Sequence, residues 1–320
     1  MSLIVASILV LMFLNLVLGS VSIPLKSVWN IICGLGDEPV TWQNIVWKSR
    51  LPQALTALVA GAGLAISGLQ MQTVFRNPLA GPSVLGISSG ASMGVAFVVL
   101  LSGSLGGVAL SKLGFMGEIA LSIAAVIGSL SVMALIVYVS QKVKGNVTLL
   151  IIGVMIGYVA NAVIGVLKFF SVEEDIRAYV IWGLGSFSRV SGNQMMLFVA
   201  IMAILIPLSF LLIKTLNLML LGDGYARNLG LNIKRARLLV ITSAGVLTAI
   251  VTAYCGPVIF LGLAVPHLCR AIFQTSDHRV LMPAVLFAGA ALALVCNLIA
   301  RMPGFEGALP VNSVTALIGA

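Results

Sequence analysis

Apolar runs about as long as a membrane crossing recur along this chain and leave it little choice of fold. They cover 3–20, 51–75, 83–104, 116–140, 147–169, 194–214, 238–254, 256–273, 280–300 and 308–320. At ~1.5 Å per residue, a helix needs ~20 apolar residues to cross the ~30 Å hydrocarbon core. The runs lack the two-residue alternation of a barrel strand. A helix also satisfies its own backbone polar groups inside lipid. The expectation is an all-α, polytopic transmembrane bundle of about ten spans, organised as a single domain over residues 1–320. The last run, of thirteen residues, is too short to cross. Its helix is therefore expected to be incomplete, or the chain truncated.

Composition agrees. The chain is 60% hydrophobic and 8% charged, against about 25% charged in soluble domains. A net charge of +9 would suggest nucleic acid in a soluble protein. Here the basic residues sit in short loops between apolar runs, so a nucleic-acid partner is set aside in favour of membrane lipid. Cys33, Cys255, Cys269 and Cys296 are widely spaced and form no CxxC pair. They read as small buried hydrophobes, not as a disulfide or zinc framework. No basic residue precedes Leu3–Leu18, which reads as a retained first span and not as a signal peptide.

With the N-terminus on the cytoplasmic side, ten of the eighteen Lys and Arg fall inside and eight, Lys112 among them, outside. Compact basic loops at 141–144, which includes Lys144, and at 227–237 support that orientation in a bacterial inner membrane. Most acids, including Glu306, fall outside, and only Asp223 and Asp277 fall inside.

The chemistry that is missing narrows the function. No GxxxxGK[ST] phosphate loop is present, so the chain is not expected to hydrolyse ATP alone. His267 and His278 are the only histidines, and no nucleophilic triad or metal cluster can be assembled. No cofactor or metal is expected on the chain. An ion-coupled secondary transporter is one rival reading, but such carriers hold their ion on acids near the bilayer midplane. No Asp or Glu lies in the middle of a run. A membrane enzyme or scaffold is the other rival, and it lacks a catalytic cluster. Transport energy must then come from a partner.

Several positions carry two readings each. Gly86, Gly90 and Gly94 recur every fourth residue, and Gly153, Gly157 and Gly165 do much the same in the fifth run. They suit close helix packing or a smooth wall for bulky cargo. Asn161, mid-run, needs a helix partner or a water-lined passage. With Gly157 and Lys168 it makes the pathway candidates. Arg50 and Arg301 end runs on the same outer side and suit interfacial snorkelling or docking. Leu220–Arg237 is the longest polar stretch placed inside. Asp223 to Leu229, closed by Gly230, predicts a short capped helix, either a docking knob within a 215–237 loop or a plain amphipathic loop. A faint repeat links 81–86 with 256–262.

Taken together, several strings resemble the FecCD-type permeases that import ferric siderophores, haem and cobalamin. They are Arg50-Leu51-Pro52, Gly68-Leu69-Gln70-Met71-Gln72, Arg76-Asn77-Pro78-Leu79-Ala80 and Gly86-Ile87-Ser88-Ser89-Gly90-Ala91. Ala226-Arg227-Asn228-Leu229-Gly230, Pro257–Leu263, Pro266-His267, Asp277-His278-Arg279 and Leu309-Pro310-Val311 complete the set, which runs from about Arg50 to Ala320. The resemblance implies a ten-helix permease working as a homodimer by alternating access. Two ATP-binding cassette subunits would use ATP below it, and a periplasmic or lipid-anchored substrate-binding protein would dock above. Ferric siderophore is the first cargo expected, ahead of haem or cobalamin. It also implies that Arg50 and Arg301 meet acids on the binding protein, although Gln53 stands where the family often has a further Arg. Gly222, Asp223, Tyr225, Ala226, Arg227, Leu229 and Gly230 would couple to the ATPase. Asn77 and Leu79, with Asn146 and Val147, would form the inner gate.

Overall fold

The computed structural model describes residues 2–104, 115–143, 145–190, 192–302 and 309–319. Lys112, Lys144 and Glu306, used above for orientation, lie outside the described residues, as does the side chain of Asn146. In chain order the helices are α1 (Ser2–Val17), α2 (Leu25–Cys33), α3 (Val40–Ile45), α4 (Leu51–Phe75), α5 (Ile87–Ser104), α6 (Phe115–Lys142), α7 (Asn146–Phe169) and α8 (Glu173–Gly183). After these come α9 (Gly192–Phe210), α10 (Ile213–Leu220), α11 (Asp223–Asn228), α12 (Ile233–Cys255), α13 (Leu261–Phe273), α14 (His278–Ala300) and α15 (Val311–Gly319).

The all-α membrane class is as expected. Val40–Phe75, Met116–Lys142, Val147–Phe169, Gly192–Phe210, Ile233–Cys255 and His278–Ala300 are long and apolar enough to cross a bilayer. Leu3–Val17, Ile87–Leu101 and Leu261–Phe273 are shorter apolar helices. The run expected over 256–273 turns helical only at Leu261, because Gly256 has φ 77° and Pro257 follows it. The final run gives a nine-residue helix, α15. Between the first two runs, α2 and α3 form where the apolar pattern predicted nothing. From α3 the chain continues through a π turn, Val46–Arg50, directly into α4.

Helix α4 is the axis. Of its apolar window 83% is buried, against 22% for α7. It is enclosed by α9, α12, α13 and α14. Small residues permit that enclosure. A Cβ at Gly68 would overlap the backbone carbonyl of Gly262 in α13, and one at Gly61 would overlap that of Gly289 in α14. Gly90 and Gly94 of α5 face Gly128 and Ala124 of α6 in the same way, so packing is what these two glycines serve. A Cβ at Gly165 would meet no other helix within 4 Å.

Polar clasps fix the helices to each other. Asn297 of α14 donates to Asn15 Oδ1 of α1 at 2.8 Å, and Asn15 donates back to Leu294 O at 3.2 Å. Ser67 of α4 bonds Ala244 O and Thr248 of α12, each at 2.8 Å. Such bonds contribute ~0.6 kcal/mol on average in membranes, so they set register more than stability.

Gly68→Ala is expected to lower the thermal midpoint of the detergent-solubilised protein sharply, since two backbones would have to separate and overpacking costs ~1–3 kcal/mol. Gly165→Ala should leave the midpoint within a degree or two, as expected for an uncrowded site. Equal responses would show that the α4–α13 contact is not the tight one.

Candidate functional site

Two ends of the molecule hold the candidate residues. At one end α11 stands between Gly222, at φ 99°, and Gly230, at φ 85°. Both are left-handed turns that glycine makes at no steric cost. The Gly230 N–H donates to Arg227 O and the Leu231 N–H to Ala226 O, both at 2.9 Å, and these bonds close the helix. The short helix expected here is therefore present. Ala226 is fully buried, while Tyr225 and Leu229, one turn apart, are 73% and 58% exposed. Asp223 does not cap α11. Its carboxylate instead accepts from Arg76 Nη2 at 2.5 Å and lies 3.6 Å from Arg237 of α12.

Arg76 ends α4 in a left-handed conformation, φ 49°, and also donates to Met219 O of α10 at 3.3 Å. The next residues form an Asx turn. Asn77 Oδ1 accepts the Leu79 N–H at 2.9 Å, and Ala80 N–H reaches Asn77 O at 3.1 Å. Leu79 is thereby held outward, 69% exposed. A cleft of about 360 Å³ opens beside this turn, lined by Gln72, Thr73, Arg76, Asn77, Pro78, Leu220 and Arg270. Arg270 of α13 donates to Gln72 Oε1 across it.

Gly153 of α7 packs on Leu85, and Ser171, just past α7, bonds Leu100 O of α5. The two helices therefore run parallel, and the start of α7, with Asn146 and Val147, lies toward the face that carries Asn77 and Leu79. Val147 is exposed. Farther along α7, Gly157 touches Ser89, Asn161 is exposed, and Lys168 lies 4.8 Å over the Tyr179 ring of α8. Asn161 bonds no described residue, so it does not serve as an internal helix clasp.

At the same end as α11, Asn217 of α10 donates to Asp277 at 2.6 Å and accepts from His278 N at 2.9 Å. The His278 ring sits between Asn217 Oδ1 and Thr73 Oγ1, each at 2.8 Å. The Arg279 N–H and then the Asn217 amide hold the Asp277 carboxyl below its usual range. Sequence reasoning missed this cluster and missed Arg76 and Arg237 as partners of Asp223. The available signal was that Asp223 and Asp277 are the only acids in the loops expected inside, with Arg227 and Arg279 close by in sequence.

At the opposite end Arg50 and Arg301 meet. A Cβ at Gly19 would lie 3.0 Å from Arg301 Nη2 and 3.2 Å from Arg50 Nη2. Arg50 is almost wholly buried, not held on an open rim. Its Nη1 donates to Leu16 O at 2.8 Å and Val17 O at 2.7 Å, the last carbonyls of α1, and its Nη2 donates to Val21 O. Arg301 is half-buried. Burial, and after it the charge of Arg50, lower the Arg301 guanidinium to about 10, so it stays cationic at neutral pH. Arg50 Nε and Arg301 Nη1 are buried without an acceptor.

These two poles, one joining α11 to the Asn77–Leu79 turn and one pairing two arginines, stand on a chain that the family model of the FecCD transport family matches over residues 7–320. The chain belongs to the FecCD transport family. The vitamin B12 import system permease protein BtuC of Klebsiella pneumoniae is 36% identical over 278 residues, 87% of this chain and 80% of that one. The hemin transport system permease protein HmuU of Yersinia pestis is 34% identical over 304 residues, 94% of this chain and 87% of that one. An inward-facing structure assigned to the metal-chelate type of ABC transporter superposes with TM-score 0.84 at 27% identity, covering 99% of this chain and 94% of that one. This FecCD chain is thus a multi-pass membrane permease.

The two arginines should separate in a stability assay. Arg50→Ala removes three bonds to carbonyls, and hydrogen bonds to charged groups contribute ~1.5–3 kcal/mol each. Its thermal midpoint should drop clearly. Arg301→Gln relieves a like-charge contact and should leave the midpoint unchanged or raised. The reverse order would show that Arg50 is not the clamp on α1.

Proposed function

We propose that this FecCD chain is the membrane-spanning subunit of an ATP-driven importer of metal chelates, acting as a homodimer whose two copies enclose the passage. Ferric siderophore is the cargo inferred first, with haem and cobalamin next. Two ATP-binding cassette subunits supply the energy, and a substrate-binding protein delivers the cargo. The N-terminus and α11 lie on the cytoplasmic side. The observation that carries the reading is α11 itself, a six-residue helix seated by a buried Ala226 that presents Tyr225 and Leu229 as an apolar knob beside the Asn77–Leu79 turn. Such a knob suits a groove on a soluble partner. The names of the relatives support chelate cargo: one imports vitamin B12 and another hemin.

An ion-coupled carrier is not favoured. Among the described residues the acids sit in loops or in the first turns of α6, α8 and α11. At the opposite face, half-buried Arg301 is the member of the arginine pair proposed to meet a carboxylate of the binding protein, with the almost wholly buried Arg50 behind it. Asn77 and Leu79 with Asn146 and Val147 are proposed as the inner gate, and Gly157, Asn161 and Lys168 as wall positions.

Replacing Tyr225 and Leu229 together with Asp should release the ATPase from the detergent-solubilised complex by roughly tenfold or more, in keeping with loss of a central apolar anchor, while insertion persists. Full retention of the ATPase by that variant would refute the docking role of α11. Arg301→Glu should weaken binding-protein affinity, and an acid-to-base change on the partner should restore it. Uptake of ferric siderophore, haem and cobalamin by proteoliposomes carrying the complete transporter then identifies the cargo.

A further inference from the structure

We propose that Asp223, held between Arg76 and Arg237, is the link that passes movement of α11 to the turn carrying Asn77 and Leu79. The inference rests on the reading of α11 as the ATPase-docking helix and adds residues that this reading does not contain.

Three observations carry it. First, among the described residues, the polar side-chain bonds that tie α11 to the rest of the chain start at Asp223, with Arg76 at 2.5 Å and Arg237 at 3.6 Å. A push on α11 therefore acts on one carboxylate. Second, Arg76 is covalently next to Asn77, whose side chain builds the turn that holds Leu79 outward. No flexible spacer intervenes, so a displaced Arg76 takes the turn with it. Arg76 also sits at a left-handed φ of 49°, a conformation that residues other than glycine adopt uncommonly. That point of the backbone is therefore held by its surroundings. Third, the cleft of about 360 Å³ between Leu220 and the Asn77–Pro78 turn gives the turn space into which to move.

Arg237 supplies the second anchorage. Its side chain is 10% exposed, and its Nε lacks an acceptor. It lies in the first turns of α12, which packs on α4 and α6. One carboxylate thus bridges a cation on the gate turn and a cation on the fixed bundle. A shift of α11 changes the division between them. The side chains of Asp223 and Arg76 are 43% and 44% exposed, and an exposed pair contributes little to folding. Its value lies in direction, because it ties α11 to the end of α4 through a charged side chain, beside the packing of α11 on α10 and α12.

The experiment compares Arg76→Gln, Asp223→Asn, the double variant and Arg76→Lys in proteoliposomes with the ATPase and binding protein. The reading is cargo taken up per ATP hydrolysed, normalised to inserted permease and to ATPase retained on it. Each single variant should lower that ratio by roughly fivefold or more, the range of a direct pairwise coupling. The double variant should be no worse than the worse single one, and Arg76→Lys should keep most of the ratio. Unchanged ratios in the singles, or losses that multiply in the double, overturn the link while leaving docking intact, because ATPase retention is measured separately. If the wild-type chain itself retains no ATPase, the docking reading falls and the link falls with it.

Discussion

In hydrocarbon, lipid tails are as apolar as Leu side chains, so burying Leu against Leu does not hold helices together. Association depends on how closely backbones approach and on the few polar groups that bridge them. In this chain the condition is met along one helix. The backbone of α4 meets α13 through Gly68 and Gly262 and meets α14 through Gly61 and Gly289, at distances that admit no Cβ. That contact turns α4, α12, α13 and α14 into one body, with Ser67 bonded to α12 and Thr73 to His278 of α14. Helices α6, α7 and α9 pack on its outside and stay largely exposed.

The placement of both candidate sites follows from that body. Helix α4 begins just after Arg50 and ends just before Arg76, so its rigid length separates the arginine pair from the α11 cluster. Helix α14 runs alongside in the opposite sense, with His278 near Thr73 and Arg301 near Arg50. Each pole is therefore built from the ends of the same two helices. Arg50, the last residue of the π turn Val46–Arg50, reaches back to the last carbonyls of α1. Exposed carbonyls at a helix C-terminus carry partial negative charge, and a guanidinium answers it.

What could be read from the sequence divides along the same physical line. Apolar runs are legible because lipid imposes length and composition on each span independently of its neighbours. The end of helix α11 was legible because Gly230 closes it and backbone geometry is local. Helices α2 and α3 were not, since they are short and mix polar with apolar residues. The partners of Asp223 were not legible either, as a helix-starting Asp reads as a cap until tertiary structure offers it Arg76 and Arg237. Arg50 shows the same limit. It was read as the end of a span, whereas the helical path runs on through it from Val40 to Phe75, and only tertiary structure shows that it turns to the end of α1. The glycine repeats were ambiguous for a similar reason, and the partner helix decides them: Gly90 and Gly94 meet Gly128, whereas Gly165 meets no other helix.

Tyr158, Asn161, Ala162, Gly165 and Phe169 fall at helical spacing and are all exposed. A face turned to lipid alone gains nothing from Asn, which costs free energy in hydrocarbon without a partner. Nor does it gain from Gly, which weakens a helix where no close approach calls for it. Both residues suit the proposed role of α7 as a wall of the passage, where Asn would find hydrogen bonds and Gly would leave room. The parallel course of α5 and α7 turns the start of this face toward the side of Leu79 and Val147 and its end toward Lys168 and α8. The exposed stripe thus runs along α7 from the side of Leu79 and Val147 to the opposite end of that helix.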